Sequence, residues 1–192
     1  MCDFSSINTN SHNTNSHNIT NNTQNNNQKI QINNFGEENL SYLTSDTYKK
    51  LLIDPRNSIP KLIDKIHFNK KYPENGNIRI PNKKQPFAEI FKDHKWTLCN
   101  QYKTMCGVLT EKKKILHEAY IENQGKLSDA EQKRYLEYKE NIDFDLFVFK
   151  QIIVDIQATI MSGTRNKPDS IEIGNKVKEH TKEIIKRRAK ET

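Results

Sequence analysis

The stretch that decides the fold is Ile66-His-Phe-Asn-Lys-Lys-Tyr-Pro-Glu-Asn-Gly-Asn-Ile-Arg-Ile80, which continues without interruption to Cys99. A segment with apolar residues at helical spacing ends at Phe68, and a polar turn with Pro73 and Gly76 follows it. Short segments that alternate apolar and polar residues come next, and this alternation is typical of strands. Helix gives way to sheet here, which predicts an α+β fold.

Three short strands are predicted after the turn. They cover residues 77–81, 87–92 and 95–99, and Asp93 and His94 form the turn between the last two. Connections this short favour an antiparallel arrangement. The sequence therefore predicts a small three-stranded antiparallel sheet.

The chain upstream of this stretch predicts a short helical pair. The first helix is expected over residues 40–53 and ends at Asp54 and Pro55. The second helix is expected to carry Pro60 in its first turn, where the missing N–H costs nothing. Residues 29–35 alternate with a period of two and predict a short edge strand.

The chain downstream of the sheet predicts a long α-helical hairpin. Apolar residues at helical spacing begin near Tyr102 and stop at Gly125, and Ser128 with Glu131 forms a capping box that starts the second helix. The apolar stripe of that helix widens between residues 142 and 160, beyond what one partner helix covers. We expect it to pack on the sheet or on another subunit. The candidate interface residues are Phe144, Phe147, Val148 and Ile152.

Composition divides the chain into three parts. Residues 1–28 are rich in Asn, Thr and Ser and have almost nothing apolar to bury, which predicts a disordered leader. Residues 29–162 predict a single domain that ends in the helical hairpin, since Ser162 and Gly163 stop its last helix. The remainder, residues 163–192, predicts a basic tail or helix.

The charge of the chain favours an acidic partner. The formal net charge of +7 and the pI near 9.2 favour binding to nucleic acid, an anionic membrane or an acidic protein. A basic domain without such a partner would have the same charge. No run of 18 or more apolar residues and no apolar leader is visible, so we expect neither a membrane span nor a secretory signal. Cys2, Cys99 and Cys106 are then expected to be reduced thiols.

No residue pattern for catalysis or metal binding is visible. A zinc site would need His94, Cys99, Cys106 and His117, but one helix carrying both Cys106 and His117 would separate them by roughly 16 Å. Nucleophile elbows and phosphate-binding glycine loops are missing. His67 is expected to be a hydrogen-bonded histidine at a helix end rather than a base. We expect no enzyme, no cofactor and no metal.

Basic residues concentrate on the loops and strands of the predicted sheet, with Tyr72 and Trp96 among them. Cations on adjacent hairpins contact successive phosphates and aromatic rings stack on unpaired bases, although lysine-rich turns also keep sheet edges soluble. In the tail, the sequence Lys186-Arg-Arg-Ala-Lys190 is compatible with a nuclear localisation signal, a phosphate-binding arm or a solvated helix. The candidate nucleic-acid contacts are Lys70, Lys71, Arg79, Lys83, Lys84, Lys92, Lys95, Trp96, Lys186, Arg187 and Arg188.

Four motifs follow the asparagine-rich leader: Asn33-Asn-Phe-Gly-Glu-Glu-Asn-Leu-Ser-Tyr-Leu43, Ile59-Pro-Lys-Leu-Ile63, Ile66-His-Phe-Asn69 and Pro73-Glu-Asn-Gly-Asn-Ile78. Over residues 30–140 the chain resembles the carboxy-terminal region of uncharacterised proteins of giant viruses of the mimivirus kind. In that family the region often follows zinc fingers or a KilA-N type DNA-binding module, and this chain lacks the finger cysteines and histidines. The resemblance implies a viral, non-enzymatic accessory domain that acts alongside nucleic acid.

These observations lead to two hypotheses. The first is a non-enzymatic viral accessory protein that contacts DNA or RNA through a basic surface, without reading sequence, in the host cytoplasm, virus factory or nucleus. The alternative is a protein interaction or oligomerisation module that uses the apolar face of residues 142–160. An enzyme such as a nuclease is disfavoured, because no acidic metal cluster is visible in the sequence.

Overall fold

The structure, a computed structural model, describes residues 30–166 and shows an α+β fold. The predicted disordered leader and most of the predicted basic tail, with Lys186, Arg187 and Arg188, lie outside the described residues. The elements are α1 (Ser45–Ile53), α2 (Pro55–His67), β1 (Ile78–Arg79), β2 (Phe87–Lys92), β3 (Lys95–Asn100), α3 (Gln101–Asn123), α4 (Asp129–Phe144) and α5 (Leu146–Arg165).

The segment before α1 differs from its prediction. Residues 30–35 form no strand, because only Phe35 bonds to the sheet, through its N–H and the carbonyl of Phe91 at 2.7 Å. Helix α1 begins five residues later than predicted because Thr44 caps it, with its hydroxyl accepting from the N–H of Thr47 at 3.3 Å.

Two prolines define α2. Pro55 occupies the first turn, whereas Pro60 lies inside the helix, so the prediction that Pro60 starts it is wrong. A proline in a helix interior leaves the carbonyl four residues earlier without its helical donor. That carbonyl belongs to Arg56, and the hydroxyl of Tyr138 in α4 lies 3.5 Å from it. A neighbouring helix thus makes the internal proline tolerable.

The three-stranded antiparallel sheet is confirmed, with strand order β1-β2-β3. Asp93 and His94 both have positive φ, at 51° and 60°, as the tight turn between β2 and β3 requires. Strand β1 is shorter than predicted, because the N–H of Ile80 bonds to the hydroxyl of Thr164 in α5 at 3.2 Å instead of to β2.

The predicted helical hairpin is wrong in one respect, since its second helix is two helices. The capping box of Ser128 and Glu131 starts α4 as predicted. At Asp145 the backbone turns extended, and the Asp145 carboxylate accepts from the N–H groups of Phe147 and Val148 at 2.8 and 3.3 Å. Asp145 therefore caps a new helix, α5.

Helix α5 is the centre of the packing and contacts α2, α3, α4 and β1. It continues past the predicted stop at Gly163, where the absence of a side chain lets the ring of Phe68 pack against the helix backbone. Among the described helices, α5 alone is long and apolar enough to cross a membrane, a criterion that core helices also meet. Four of its isoleucines lie in the core, namely Ile152, Ile153, Ile156 and Ile160.

Candidate nucleic-acid interface

The sheet presents one face to the core and the other to solvent. Ile78 and Ala88 are fully buried, and Ile90 packs against the same core. Because side chains alternate along a strand and paired residues share a face, the strand register places Thr97, Cys99 and the paired Lys92 and Lys95 on this core side as well. We call the opposite side the outer sheet face, and its members are Arg79, Phe87, Glu89, Phe91, Trp96, Leu98 and Asn100.

Arg79 is the centre of the outer sheet face. Its Nε donates to Glu89 Oε2 at 2.5 Å, and its guanidinium carbon lies 4.0 Å from the centroid of the Trp96 ring. The rings of Trp96 and Phe91 meet edge to face, with centroids 5.6 Å apart. Trp96 is thereby held in a fixed orientation.

Apolar side chains extend this platform. Phe87 is 40% exposed and Leu98 is 57% exposed, although both lie on strands of a packed domain. Aromatic rings presented on an open sheet are surfaces on which unpaired bases stack. The outer sheet face therefore combines a cation, an indole and apolar surface within three short strands.

Lysines lie at both ends of the sheet. Lys83 and Lys84 are exposed in the connection from β1 to β2, and Lys92 and Lys95 are exposed and pair with each other across the turn at the far end. None of the four ammonium groups has an acidic partner among the described residues. Since a strand rises about 3.3 Å per residue, the two ends of β2 are roughly 17 Å apart.

Two predicted contacts lie elsewhere. Lys70 and Lys71 follow α2, and Lys71 lines a groove with Tyr42 and Tyr72 rather than the outer sheet face. The structure thus brings most of the predicted basic residues to one sheet and places these two on another surface.

The residues of the predicted protein interface differ in their exposure. Ile152 is only 4% exposed and belongs to the core, and Val148 is half-buried against it. Phe144 and Phe147 are 84% and 76% exposed. Leu146, which the sequence analysis missed, is 65% exposed between them. We call Phe144, Leu146 and Phe147 the apolar corner, and it exists because the helix breaks at Asp145.

A buried polar network fixes the segment before α1 to the rest of the domain. His67 Nδ1 lies 2.9 Å from Asn77 Oδ1 and 3.2 Å from the carbonyl of Asn75. The amide of Asn77 donates to Glu38 Oε1 at 2.7 Å, and the amide of Asn75 donates to the carbonyl of Asn39 at 2.8 Å. Three of the four sequence motifs meet in this network.

Two charged side chains lie inside this network. The Lys112 side chain is fully buried and its Nζ is 4.0 Å from Glu38 Oε2, on a carboxylate that is 3% exposed. Burial alone would raise the pKa of Glu38, but attraction to His67 and Lys112 and hydrogen bonds from Gly36 and Asn77 lower it below its usual range. Burial, assisted by the charge of Lys112, lowers the pKa of His67 to about 4. Glu38 is ionised and His67 is neutral at pH 7.

Sequence reasoning predicted that His67 is a hydrogen-bonded residue at a helix end, and the structure confirms this. It missed Glu38 and Lys112. The density of asparagine in the motifs was the available signal, because amides in an ordered segment need buried partners. No sequence spacing connects Lys112 to residues more than 70 positions away.

The four possible zinc ligands do not come together. Within residues 30–166, no group of three or more His, Cys, Asp or Glu side chains could hold a metal ion. Cys99 and Cys106 are free thiols and half-buried.

No family model matches the chain, and neither a curated protein nor a solved structure is significantly similar to it. The resemblance to giant-virus proteins therefore stays a prediction.

Proposed function

We propose that this chain is a non-enzymatic viral accessory protein that binds nucleic acid, DNA or RNA, on its outer sheet face without reading sequence. The observation that supports this most is the Arg79–Trp96 stack on the sheet face opposite the core, with Phe87 and Leu98 exposed beside it. Unpaired bases stack on such a platform, and base stacking tolerates every sequence.

The lysines at the two ends of the sheet supply the phosphate contacts. Lys83 and Lys84 precede β2 and lie roughly 17 Å from the turn at its other end, so a bound strand can start at these lysines and cross the platform. Lys92 and Lys95 stand on the core side of the strands at that turn and would meet the strand only at the end of the hairpin. Lysine binds phosphate as a point charge and carries no base information. The proposed complex is therefore sensitive to salt and prefers single strands to duplexes.

The test is a titration of the full chain with labelled single-stranded and duplex DNA and RNA over a salt series. For single strands the slope of log affinity against log salt is about −0.7 per phosphate contacted. The double variant Lys83→Glu/Lys84→Glu should weaken binding and flatten this slope, while Lys150→Glu, an exposed lysine on α5, should do neither. Absence of binding at low salt, or equal loss in both variants, would reject the proposal.

The apolar corner supports a second candidate function, a protein interaction or self-association module. Three large apolar side chains this exposed within four residues form a patch of the kind that marks interaction sites. Sedimentation of the wild type and of Phe147→Asp would test it, with Lys83→Glu/Lys84→Glu as the control. Self-association that Phe147→Asp abolishes supports this function, and a wild type that stays monomeric and captures no partner at high concentration contradicts it.

A further inference from the structure

A groove separate from the outer sheet face lies where the start of α1 meets the end of α2. It encloses about 270 Å³ and is open to solvent. Its lining is mostly polar and comprises Tyr42, Leu43, Thr47, Lys65, Asn69, Lys71 and Tyr72.

Two tyrosines form a rigid wall of this groove. The rings of Tyr42 and Tyr72 stack with centroids 3.7 Å apart and planes within 9° of parallel. The hydroxyl of Tyr42 donates to the carbonyl of Lys65 at 2.9 Å, which fixes the ring against the last turn of α2. Burial, with a smaller contribution from the carboxylate of Glu74, raises the pKa of Tyr42, so the hydroxyl stays a donor. A stacked pair of this kind is a preformed platform for a further planar ring.

Two lysines provide positive charge in the same groove. Lys65 and Lys71 are exposed, and neither ammonium group has an acidic partner among the described residues. The loop that carries Lys71 is ordered by its N–H, which donates to Asn69 Oδ1 at 3.0 Å. The hydroxyl of Thr47, in the first turn of α1, adds a neutral hydrogen-bonding group.

We infer that this groove binds a nucleotide unit, with its phosphate at Lys65 and Lys71 and its base against the Tyr42–Tyr72 stack. A nucleotide joins an anionic group and a planar ring in one small molecule, which are the two features that the groove accommodates. The volume lies just below the roughly 300 Å³ at which small-molecule pockets begin, which suits a ligand of the size of one nucleotide.

The nucleotide has two possible sources, a free mononucleotide or one residue of a bound strand. In the second case the inference deepens the proposed function, because the groove would hold one nucleotide of a strand that also crosses the outer sheet face. In the first case it is independent of that function.

The experiment uses the full chain and titrates it by calorimetry with adenosine monophosphate, adenosine, inorganic phosphate and a short single strand. A nucleotide site predicts that adenosine monophosphate binds at least tenfold more tightly than adenosine or phosphate alone. Lys65→Glu/Lys71→Glu should lower the affinity at least tenfold. The control is Lys150→Glu, since Lys150 lies far from the groove. Gly163 of α5 contacts Phe68 at the end of α2, and Lys150 lies 13 residues before Gly163, which is about 20 Å along the helix.

A matched pair of variants tests the tyrosine wall. Tyr72→Phe keeps the stacked ring and should retain binding, whereas Tyr72→Ala removes it and should lose binding while unfolding at a similar urea concentration. The chain has a single tryptophan, Trp96 on the outer sheet face, so its fluorescence reports strand binding there independently of the groove.

The outcomes separate the two proposals. Dependence of mononucleotide or strand affinity on Lys65 and Lys71 supports the groove and identifies its source. If neither affinity depends on these lysines, the inference is overturned even where Trp96 fluorescence responds to the strand. If the fluorescence does not respond but the mononucleotide binds through Lys65 and Lys71, the proposed function fails and the groove stands.

Discussion

His67 Nδ1 lies 2.9 Å from the side-chain oxygen of Asn77, and both residues are buried. The amide nitrogen of Asn77 already donates to Glu38 and to the carbonyl of Asn34, so its oxygen must accept and His67 Nδ1 must carry the proton. The other ring nitrogen, Nε2, is buried without a hydrogen-bond partner among the described residues. The imidazole is therefore a neutral donor in the folded protein.

The first prediction concerns pH. The pKa of His67 is about 4 in the folded protein and near its ordinary 6.5 when unfolded, so the unfolded chain takes up a proton first as pH falls. The His67 contribution to stability is fully present above pH 6.5 and should be lost between about pH 6.5 and 4, by on the order of 2–3 kcal/mol.

The measurement is the free energy of unfolding in urea at several pH values for wild type and His67→Gln. Other acidic groups titrate in both proteins, so the difference between the two isolates His67. The variant should be less stable at pH 7 yet show a shallower decline from pH 6.5 to 4.5. Parallel declines would contradict a neutral buried histidine.

The second prediction concerns the buried pair Glu38–Lys112. Removal of Lys112 leaves the Glu38 carboxylate buried without its ammonium partner, which costs about 3 kcal/mol, whereas removal of Glu38 leaves Lys112 paired with Glu111 Oε1 at 2.8 Å. Lys112→Met should destabilise the protein by about that amount, and Glu38→Gln should destabilise it less, because Lys112 keeps Glu111 as a partner. The double variant should be more stable than the sum predicts by about 1 kcal/mol or more, because neither charge remains. Chemical denaturation of the wild type, the two single variants and the double variant measures this coupling energy. Strictly additive changes in the free energy of unfolding would show that Glu38 and Lys112 do not interact.

Local rules predicted the elements whose boundaries depend on neighbouring residues. Strand β2 and the turn at Asp93 and His94 follow from alternation and turn chemistry, and α4 begins where its capping box does. The break at Asp145 was also local, since aspartate is a strong N-cap, but the continuous apolar stripe concealed it. Ile152, which the widened stripe placed in the predicted interface, is a core residue.

The remaining features depend on contacts between distant parts of the chain. Pro60 is tolerated inside α2 where Tyr138 lies near the carbonyl of Arg56, and Lys112 is buried where Glu38 approaches it. The groove likewise needs Tyr42 and Tyr72, which stack although 30 positions separate them. For the candidate site, sequence found the basic residues of the sheet, but only the register showed that Arg79 shares the face of Trp96 and that Lys92 and Lys95 do not.

The third prediction compares two helical glycines. A Cβ on Gly163 would overlap the ring of Phe68, whereas a Cβ on Gly107 in α3 would meet nothing within 4 Å. Gly163→Ala should destabilise the protein by about 1–3 kcal/mol despite the better helix propensity of alanine. Gly107→Ala should stabilise it by about 0.5–1 kcal/mol for that same propensity. Thermal or urea denaturation distinguishes the two, and a stabilising Gly163→Ala would show that α5 and Phe68 do not pack as described.

The fourth prediction concerns the charge of the outer sheet face. Glu89 neutralises Arg79 beside Trp96, and the two side chains remain 23% and 30% exposed. Glu89→Gln should therefore leave Arg79 available for phosphate and raise the affinity for single strands several-fold at low salt, with a steeper salt slope. The loss in stability should be about 1–2 kcal/mol, because the pair is half-buried and the glutamine amide keeps an oxygen that accepts from Arg79.

Arg79→Gln is the matched opposite of that variant and should weaken strand binding while Glu89 stays in place. Lys113, whose ammonium group pairs with Asp143 on α4, offers a control. Asp143→Asn releases a lysine remote from the sheet and should leave strand affinity nearly unchanged, because exposed charges separated by more than about 10 Å are largely screened at 0.1 M salt. If Glu89→Gln and Asp143→Asn raise the affinity equally, net charge rather than the Arg79–Trp96 platform governs binding, and the outer sheet face loses its assigned role.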